Sequence, residues 1–241
     1  MRNSSLFFCA AVACALFGRP QTTAAIDIQP TYVGFTAQQQ ACAEAAIAEW
    51  EAALLDTYTF GDVTLMTDDL GGSGPLAVTT YFGTPRIPWQ STTVINTTVN
   101  THFVAEMQFD HALPVAADKY DGLTIFRHEL CHAVGFADWY TDFQANLTAG
   151  PGSNRTYNGD GFTVELTPQA QGTHVVGVSD LMNEQLAKGL RKPISDLDLQ
   201  VLEDAYGYTI PEPTTLALLG PGFAVVVRRC AGRRRRSRQA A

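Results

Sequence analysis

The chain has 241 residues, of which 24 are acidic and 16 basic, giving a formal charge of -8 at pH 7. The basic residues are concentrated at the two ends, so residues 26–210 carry seven basic and 23 acidic side chains, a formal charge of -16. A body this acidic repels phosphate backbones, which excludes nucleic acid as a partner. About 185 residues are enough for one hydrophobic core, so we expect one domain over 26–210.

The N-terminus has the pattern of an export signal. Arg2 gives a positive start, residues 6–17 form an apolar run, and the small residues Thr23-Ala24-Ala25 suit a signal-peptidase site. The run is shorter than the ~20 residues that a spanning helix needs. We therefore predict a signal peptide over 1–25 and an exported protein.

The next segments predict a helix followed by a sheet. Residues 36–55 are rich in Ala, Gln and Glu with apolar residues at helical spacing, which predicts a long helix capped by Thr36. Four later segments are rich in Val, Thr, Ile and Phe and predict the strands of one twisted mixed sheet, at 63–66, 77–82, 94–99 and 104–109.

The second half of the body predicts two more helices around a hairpin. Residues 121–136 form the second helix, and Gly135 is placed to end it with a left-handed backbone. Asn158-Gly159-Asp160-Gly161 suits the turn of a hairpin over 158–167. Ser195 precedes two aspartates and caps a last helix over 195–206. Together these segments predict the α+β class.

The second helix carries the sequence His128-Glu129-Leu130-Cys131-His132. At 3.6 residues per turn, His128 and His132 lie on one face, so that both imidazoles can bind one zinc ion. Glu129 flanks the pair and is placed to accept a proton from a zinc-bound water. This motif predicts zinc-dependent hydrolysis with Glu129 as the catalytic base.

Two cysteines remain in the body once the ends are set aside, Cys42 and Cys131. Cys131 is rotated about 100° from His132 on the helix, so its thiol points away from the metal. A disulfide between Cys42 and Cys131 requires the first helix to pack behind the second. Two buried thiols are the alternative, and both interpretations stay open.

The order of these elements, and the string from His128 to Phe136, resemble the zincin fold and its metzincin clan of zinc metallopeptidases. In that clan a glycine after the second histidine lets the chain turn, and the resemblance implies this role for Gly135. Ser179-Asp180-Leu181-Met182-Asn183 is similar to the Met-turn, which implies that Met182 forms a hydrophobic floor under the metal. The alternative for Met182 is an ordinary core methionine.

The same resemblance offers two candidates for the third ligand. In the tightest metzincin motifs this ligand comes three residues after the glycine, where the chain has Asp138. In leishmanolysin-like peptidases it is a histidine shortly before the Met-turn, where the chain has Gly172-Thr173-His174. We favour His174 because imidazole suits a three-nitrogen catalytic site, with Asp138 as the alternative.

The C-terminus, residues 211–241, resembles the PEP-CTERM sorting signal of bacterial exported proteins. Pro211-Glu212-Pro213 precedes an apolar stretch over 214–227 and an arginine-rich end. The resemblance implies an exosortase-type processing enzyme as partner, transient membrane contact through the apolar segment, and delivery to the cell surface or extracellular matrix. A plain C-terminal anchor is the alternative.

These observations predict a secreted zinc metalloendopeptidase whose substrate is a protein or peptide. A non-catalytic surface or matrix protein on a zincin scaffold is one alternative, although Glu129 is intact. A zinc hydrolase that acts on cell-wall amides is the other. His102 and His111, in strand-like surroundings, are expected to be structural.

Overall fold

The computed structural model of the protein describes residues 26–55, 63–67, 76–82, 96–101, 105–177 and 179–211. The predicted signal peptide, His102, and the predicted sorting signal from Glu212 onward lie outside these residues.

The described residues form four α-helices, of which three were predicted. Their bounds are α1 Ala37–Ala53, α2 Gly122–Ala133, α3 Thr141–Ala145 and α4 Asp196–Tyr206, with a 3-10 turn at Gln169–Gln171. Thr36 caps α1 and Ser195 caps α4, each through a capping box, as their sequences predict. The short helix α3 was not predicted.

Three of the predicted strands lie in one mixed sheet with an unpredicted first strand. The bounds are β1 Pro30–Val33, β2 Val63–Thr67, β3 Ala77–Phe82 and β4 Asn96–Thr101. The spatial order is β1-β2-β4-β3, with β1, β2 and β4 parallel and β3 antiparallel to β4. Among the described residues, β3 is therefore an edge strand of this sheet.

The prediction that residues 104–109 join that sheet is wrong. Of the described residues in this range, Met107–Gln108 (β5) alone forms a strand, and it pairs with Tyr120–Asp121 (β6) in a separate two-stranded sheet. The Gln108 side chain explains the early end of β5. Its amide donates to the carbonyl of Pro114 and its oxygen accepts from the N–H of Ala116, which folds the following chain back over the strand.

The predicted hairpin is present but begins earlier than expected. Strands β8 (Arg155–Gly159) and β9 (Phe162–Leu166) are joined by Asp160-Gly161, and β7 (Leu147–Ala149) pairs with β8 on the other side. Gly161 has φ +79°, a conformation that favours glycine.

The core surrounds α2, which is buried along most of its length. On one side α1 packs against it, and the indole of Trp50 donates to the carbonyl of Arg127 at 3.0 Å. On the other side the chain after α4 covers its C-terminus, where the Tyr208 hydroxyl donates to the carbonyl of Val134 at 3.0 Å. Gly135, two residues after the end of α2, has φ +131°, so the prediction that a glycine ends this helix is confirmed.

Cys42 and Cys131 are both free and buried, so the disulfide does not form. Helix α1 does pack against α2, but the two thiols lie in different electrostatic surroundings. Asp121, at the start of α2, acts on Cys42, whereas Asp198 of α4 acts on Cys131. Each thiol fills the core as a small apolar side chain.

The protein belongs to the α+β class, with helices packed on small sheets. The chain divides into two units, Met1–Thr209 and Ile210–Ala241, and every element named above lies in the first. Within the part of the chain that the structure describes, no helix combines the length and apolar character needed to cross a membrane.

Candidate metal centre

Three histidines come together beside α2. His128 and His132 lie one helical turn apart, with ring centroids separated by 4.9 Å. His174 comes from the segment after β9, and its ring centroid lies 5.2 Å from each of the other two. The possible ligand nitrogens of the three rings all lie within 4.8 Å of one another, which is close enough to hold a metal ion.

Each of the three rings is oriented by a backbone carbonyl. Nδ1 of His128 lies 2.8 Å from the carbonyl oxygen of Leu181. Nδ1 of His132 lies 2.8 Å from the carbonyl oxygen of Phe136, and Nδ1 of His174 lies 2.9 Å from that of Gln171. A carbonyl only accepts, so each Nδ1 carries the proton and donates it. Each Nε2 then keeps its lone pair, which is the form of imidazole that binds metals.

The electrostatics of the site favour neutral rings. Burial, together with the neighbouring His174, lowers the pKa of His128 to about 3. Burial also lowers the pKa of His132, with His128 and His174 acting in the same direction. The pKa of His174 is lowered, again chiefly by burial. Neutral imidazoles offer their lone pairs to a cation without first losing a proton.

The segment that carries His174 is held to β9 and to the chain near Met182. The N–H of Thr167 donates to the carbonyl of His174 at 2.9 Å, and the N–H of Val175 donates to the carbonyl of Met182 at 2.8 Å. Gly172 has φ +83°, and a Cβ there would lie 3.0 Å from the His174 ring. Glycine at this position therefore lets the ring sit against the backbone.

Asp138 does not join the three histidines. Its carboxylate instead pairs with the Arg155 guanidinium at 2.6 Å, and its N–H donates to the hydroxyl of Thr173 at 3.1 Å. Arg155 in turn donates to the carbonyl of Gly172 at 2.8 Å. Asp138 thus fixes the segment next to His174 rather than offering a ligand atom.

Glu129 lies in the same pocket and is 5 % exposed. Its Oε2 lies 2.6 Å from the hydroxyl oxygen of Thr79, on the edge strand β3. Burial raises the pKa of Glu129 to about 7, and the contact with Thr79 opposes that shift. A carboxyl with a pKa near neutrality can both accept and return a proton.

Met182 is fully buried within the hydrophobic core and does not line the pocket. Its N–H donates to the Asp180 carboxylate at 2.9 Å. Its neighbour Leu181 supplies the carbonyl that orients His128. The carbonyl of Met182 accepts a hydrogen bond from the N–H of Val175, the residue after His174. The chain at Met182 therefore connects two of the three histidine-bearing segments.

The pocket has a volume of ≈ 570 Å³, within the range of ligand-binding cavities. Its walls are formed by Leu76 and the first three residues of β3, by α2, and by the segments 170–174 and 183–186. Trp139, Leu181 and Lys192 also line it. Sequence reasoning did not identify Thr79 or Lys192 as pocket residues. Neither stands in a recognisable motif, since each reaches the site through packing of distant segments. His111, partly exposed, is not a member of the three-histidine group.

No protein-family model, curated protein or solved structure matches this chain. The functional assignment therefore depends on the residues and geometry of this pocket.

Proposed function

We propose that the protein is a zinc-dependent endopeptidase. The observation that carries the proposal is the convergence of three neutral imidazoles and one buried glutamate, Glu129, in a single pocket. Three nitrogen ligands that leave a coordination position open are typical of catalytic zinc, whereas structural zinc is closed by four protein ligands. We assign His128, His132 and His174 as the ligands.

The donor set fits zinc among the common metals. Imidazole suits zinc, copper, iron and nickel, and carboxylate-rich sites suit magnesium and calcium. When bound, zinc would supply Lewis acidity that polarises a carbonyl group and lowers the pKa of water. Three backbone carbonyls that accept from Nδ1 would hold the rings in place for such an ion.

Glu129 is the group we assign to proton transfer. Its carboxylate accepts a proton from the attacking water and then passes it to the amine of the leaving group. Its burial keeps the pKa near neutrality, and the hydroxyl of Thr79 holds one oxygen in a defined position. The second carboxylate oxygen is left for the water.

A peptide substrate is favoured by the edge strand that borders the pocket. Strand β3 pairs with β4 on one side, and residues 76–79 line the pocket. The unpaired edge of a strand offers a row of N–H and C=O groups with which an extended peptide can pair. Such pairing would lay a scissile bond across the site without requiring a particular side-chain sequence.

We extend the proposal to the zincin-like, metzincin-related fold and to an exported protein. The fold assignment is supported by the order of elements and by Met182. This residue is buried, lies between α2 and α4 in the sequence, and accepts a hydrogen bond from the N–H of Val175, next to His174. Export, processing of the tail by an exosortase-type enzyme, and delivery to the surface or matrix are supported by the sequence of the two ends.

The test compares the full chain with Glu129→Gln and with Glu203→Gln, which changes an exposed glutamate on α4. Zinc content is measured together with cleavage of casein and of peptidoglycan. We expect Glu129→Gln to keep its zinc and lose casein cleavage by at least about a hundredfold, with Glu203→Gln unchanged. Casein cleavage that survives Glu129→Gln or a chelator would refute the proposal, and cleavage of peptidoglycan alone would assign the cell-wall amide activity.

A further inference from the structure

Lys192 is a buried cation in the wall of the pocket. The residue lines the same cavity as His128 and Glu129, although it is only 3 % exposed. Both backbone polar groups of Lys192 are hydrogen-bonded to side chains of α2. Its N–H donates to the Thr124 hydroxyl at 2.9 Å, and its carbonyl accepts from Arg127 at 2.7 Å. The position of this side chain is therefore set by the helix that carries the histidines.

The ammonium group of Lys192 is held by carbonyl oxygens and not by a carboxylate. It donates to the carbonyl of Asp180 at 2.8 Å and to that of Gln185 at 3.2 Å. Within the described ranges, the ion pairs join other residues, and no carboxylate pairs with Lys192. An ammonium has three N–H donors, so one remains for a further acceptor. A buried charge is stabilised most strongly by a partner of opposite sign.

Two carboxylates act on Lys192, and three of their four oxygens accept hydrogen bonds from other groups. Asp180 and Asp198 stabilise the charge of Lys192 from a distance, against the lowering of its pKa by burial. Asp180 accepts from the N–H of Met182 and from the hydroxyl of Ser195, and Asp198 accepts from the N–H of Ser195. These three oxygens are directed at the start of α4 and the chain around Met182, whereas Oδ1 of Asp198 has no hydrogen-bond partner among the described residues.

The lining of this pocket is mixed, and several apolar side chains contribute to it. Ile125, Leu181 and Leu186 line the pocket alongside Lys192. Glu184 also lines the pocket, but it is exposed and acts on His174. Apolar side chains and one cation in the same pocket fit a short aliphatic chain that ends in a carboxylate.

We propose that Lys192 binds a carboxylate of the substrate, so that the enzyme cleaves peptides in which an anionic group lies close to the scissile bond. The inference rests on the proposed function, because it assigns a preference to that same site. Two groups share this chemistry, the side chain of Asp or Glu and the free C-terminal carboxylate of a peptide. A side-chain carboxylate makes an endopeptidase with acidic preference, and a terminal carboxylate makes an enzyme that trims peptide ends.

The test uses the purified full chain and synthetic peptides that span the bonds cleaved in casein. Each peptide is made in matched pairs, with Glu or Gln at each position around the bond, and with a free or an amidated C-terminus. The enzymes are wild type, Lys192→Met, Lys192→Arg and Lys188→Met. Lys188 is an exposed lysine of the same loop whose ammonium lies 5.0 Å from the centre of the Tyr120 ring.

We expect wild type and Lys188→Met to cleave one Glu peptide at least about tenfold faster, in kcat/KM, than its Gln partner. Lys192→Met should reduce that ratio towards one, and Lys192→Arg should keep it above one because the positive charge is retained. If instead the enzyme cleaves the peptide with a free C-terminus faster than its amidated partner, and the Glu and Gln peptides equally fast, Lys192 binds the terminal carboxylate. A lysine that only braces the loop would lower all rates without changing either ratio.

The wild-type protein alone can overturn the inference, whether or not the variants fold. Equal cleavage of the Glu and Gln peptides, and of free and amidated peptides, would show that Lys192 binds no substrate carboxylate. That result would leave the peptidase assignment intact. Absence of any chelator-sensitive cleavage would instead refute the proposed function, so the two failures are distinguishable.

Discussion

The hydroxyl oxygen of Thr79 lies 2.6 Å from Oε2 of Glu129 and 3.0 Å from the carbonyl oxygen of the same residue. These two residues are 50 positions apart in the chain, and their contact joins the edge strand β3 to the helix α2. A hydroxyl has a single proton, and a carboxylate is the stronger acceptor, so the proton is directed at Oε2. The strand that borders the pocket thus fixes the rotamer of the glutamate.

Removing this hydroxyl should slow catalysis without removing the metal. We expect Thr79→Val to lower kcat/KM for a peptide roughly tenfold, because a hydrogen bond to a charged group is lost, while zinc content stays the same. Thr79→Ser keeps a hydroxyl and should restore most of the activity. Thr163→Val, at an exposed position of β9, is the matched control. Full activity in Thr79→Val would show that Glu129 needs no such support.

The two candidates for the third ligand should differ in zinc affinity. His174→Ala removes a ring from the three-histidine group and should abolish stable zinc binding. Asp138→Ala leaves the ligands intact but frees Arg155 and the segment beside His174, so we expect a loss of about 10- to 100-fold in affinity. Titration with zinc against a competing chelator measures both. Full zinc content and activity in His174→Ala would exclude it as a ligand.

Metal binding should stabilise the fold, because the ligands come together only in the folded chain. Zinc at 100 times its dissociation constant stabilises a protein by about 2.7 kcal/mol, which corresponds to a rise in Tm of roughly 5 to 10 °C here. We expect this rise in wild type and in His111→Ala, which changes a histidine outside the group. His132→Ala should show none, and an equal rise in that variant would place the zinc elsewhere.

Gly135 is required by both its backbone and its neighbour. It has φ +131°, and a Cβ would lie 2.4 Å from Cε2 of Tyr206, whose hydroxyl donates to the carbonyl of residue 135. Gly135→Ala should therefore lower the free energy of unfolding by about 1 to 3 kcal/mol, measured by urea denaturation. Gly152→Ala is a partial control, since φ there is also positive but nothing lies near the added carbon. Equal losses in the two variants would argue against the clash with Tyr206.

The buried carboxyl of Asp198 should make stability depend on pH. Burial raises the pKa of Asp198, and the neighbouring Asp180 raises it further. Lys192 and Cys131 are the other titratable groups that interact with it. The folded chain then holds a proton that the unfolded chain, with an ordinary pKa of about 3.9, releases. The free energy of unfolding should fall as pH rises from about 4 towards the raised pKa.

Asp198→Asn removes that titration, so the free energy of unfolding should depend less on pH in this variant. For a single group the dependence is at most about 1.4 kcal/mol per pH unit. Urea denaturation of both proteins at several pH values between 4 and 8 measures the difference. Asp196→Asn, which changes an exposed carboxylate in the same first turn of α4, should keep the wild-type slope. Parallel curves for wild type and Asp198→Asn would contradict this account.

The sequence by itself determined what depends on neighbours along the chain. Thr36 and Ser195 cap their helices through side chains that reach N–H groups three residues away. The spacing of His128 and His132 places both rings on one helical face, and the glycine after them takes the positive φ. These features follow from helix geometry and from the absence of a Cβ, which are properties of a short segment.

Only the tertiary structure decided which distant groups meet. The sequence left His174 and Asp138 as alternatives, and packing of the segment after β9 placed one in the cluster and paired the other with Arg155. It also placed Thr79 against Glu129, and left Cys42 and Cys131 as free, buried thiols. Such contacts depend on how strands and loops pack over α2, which no local pattern specifies, because the partners are brought together by burial of the whole core.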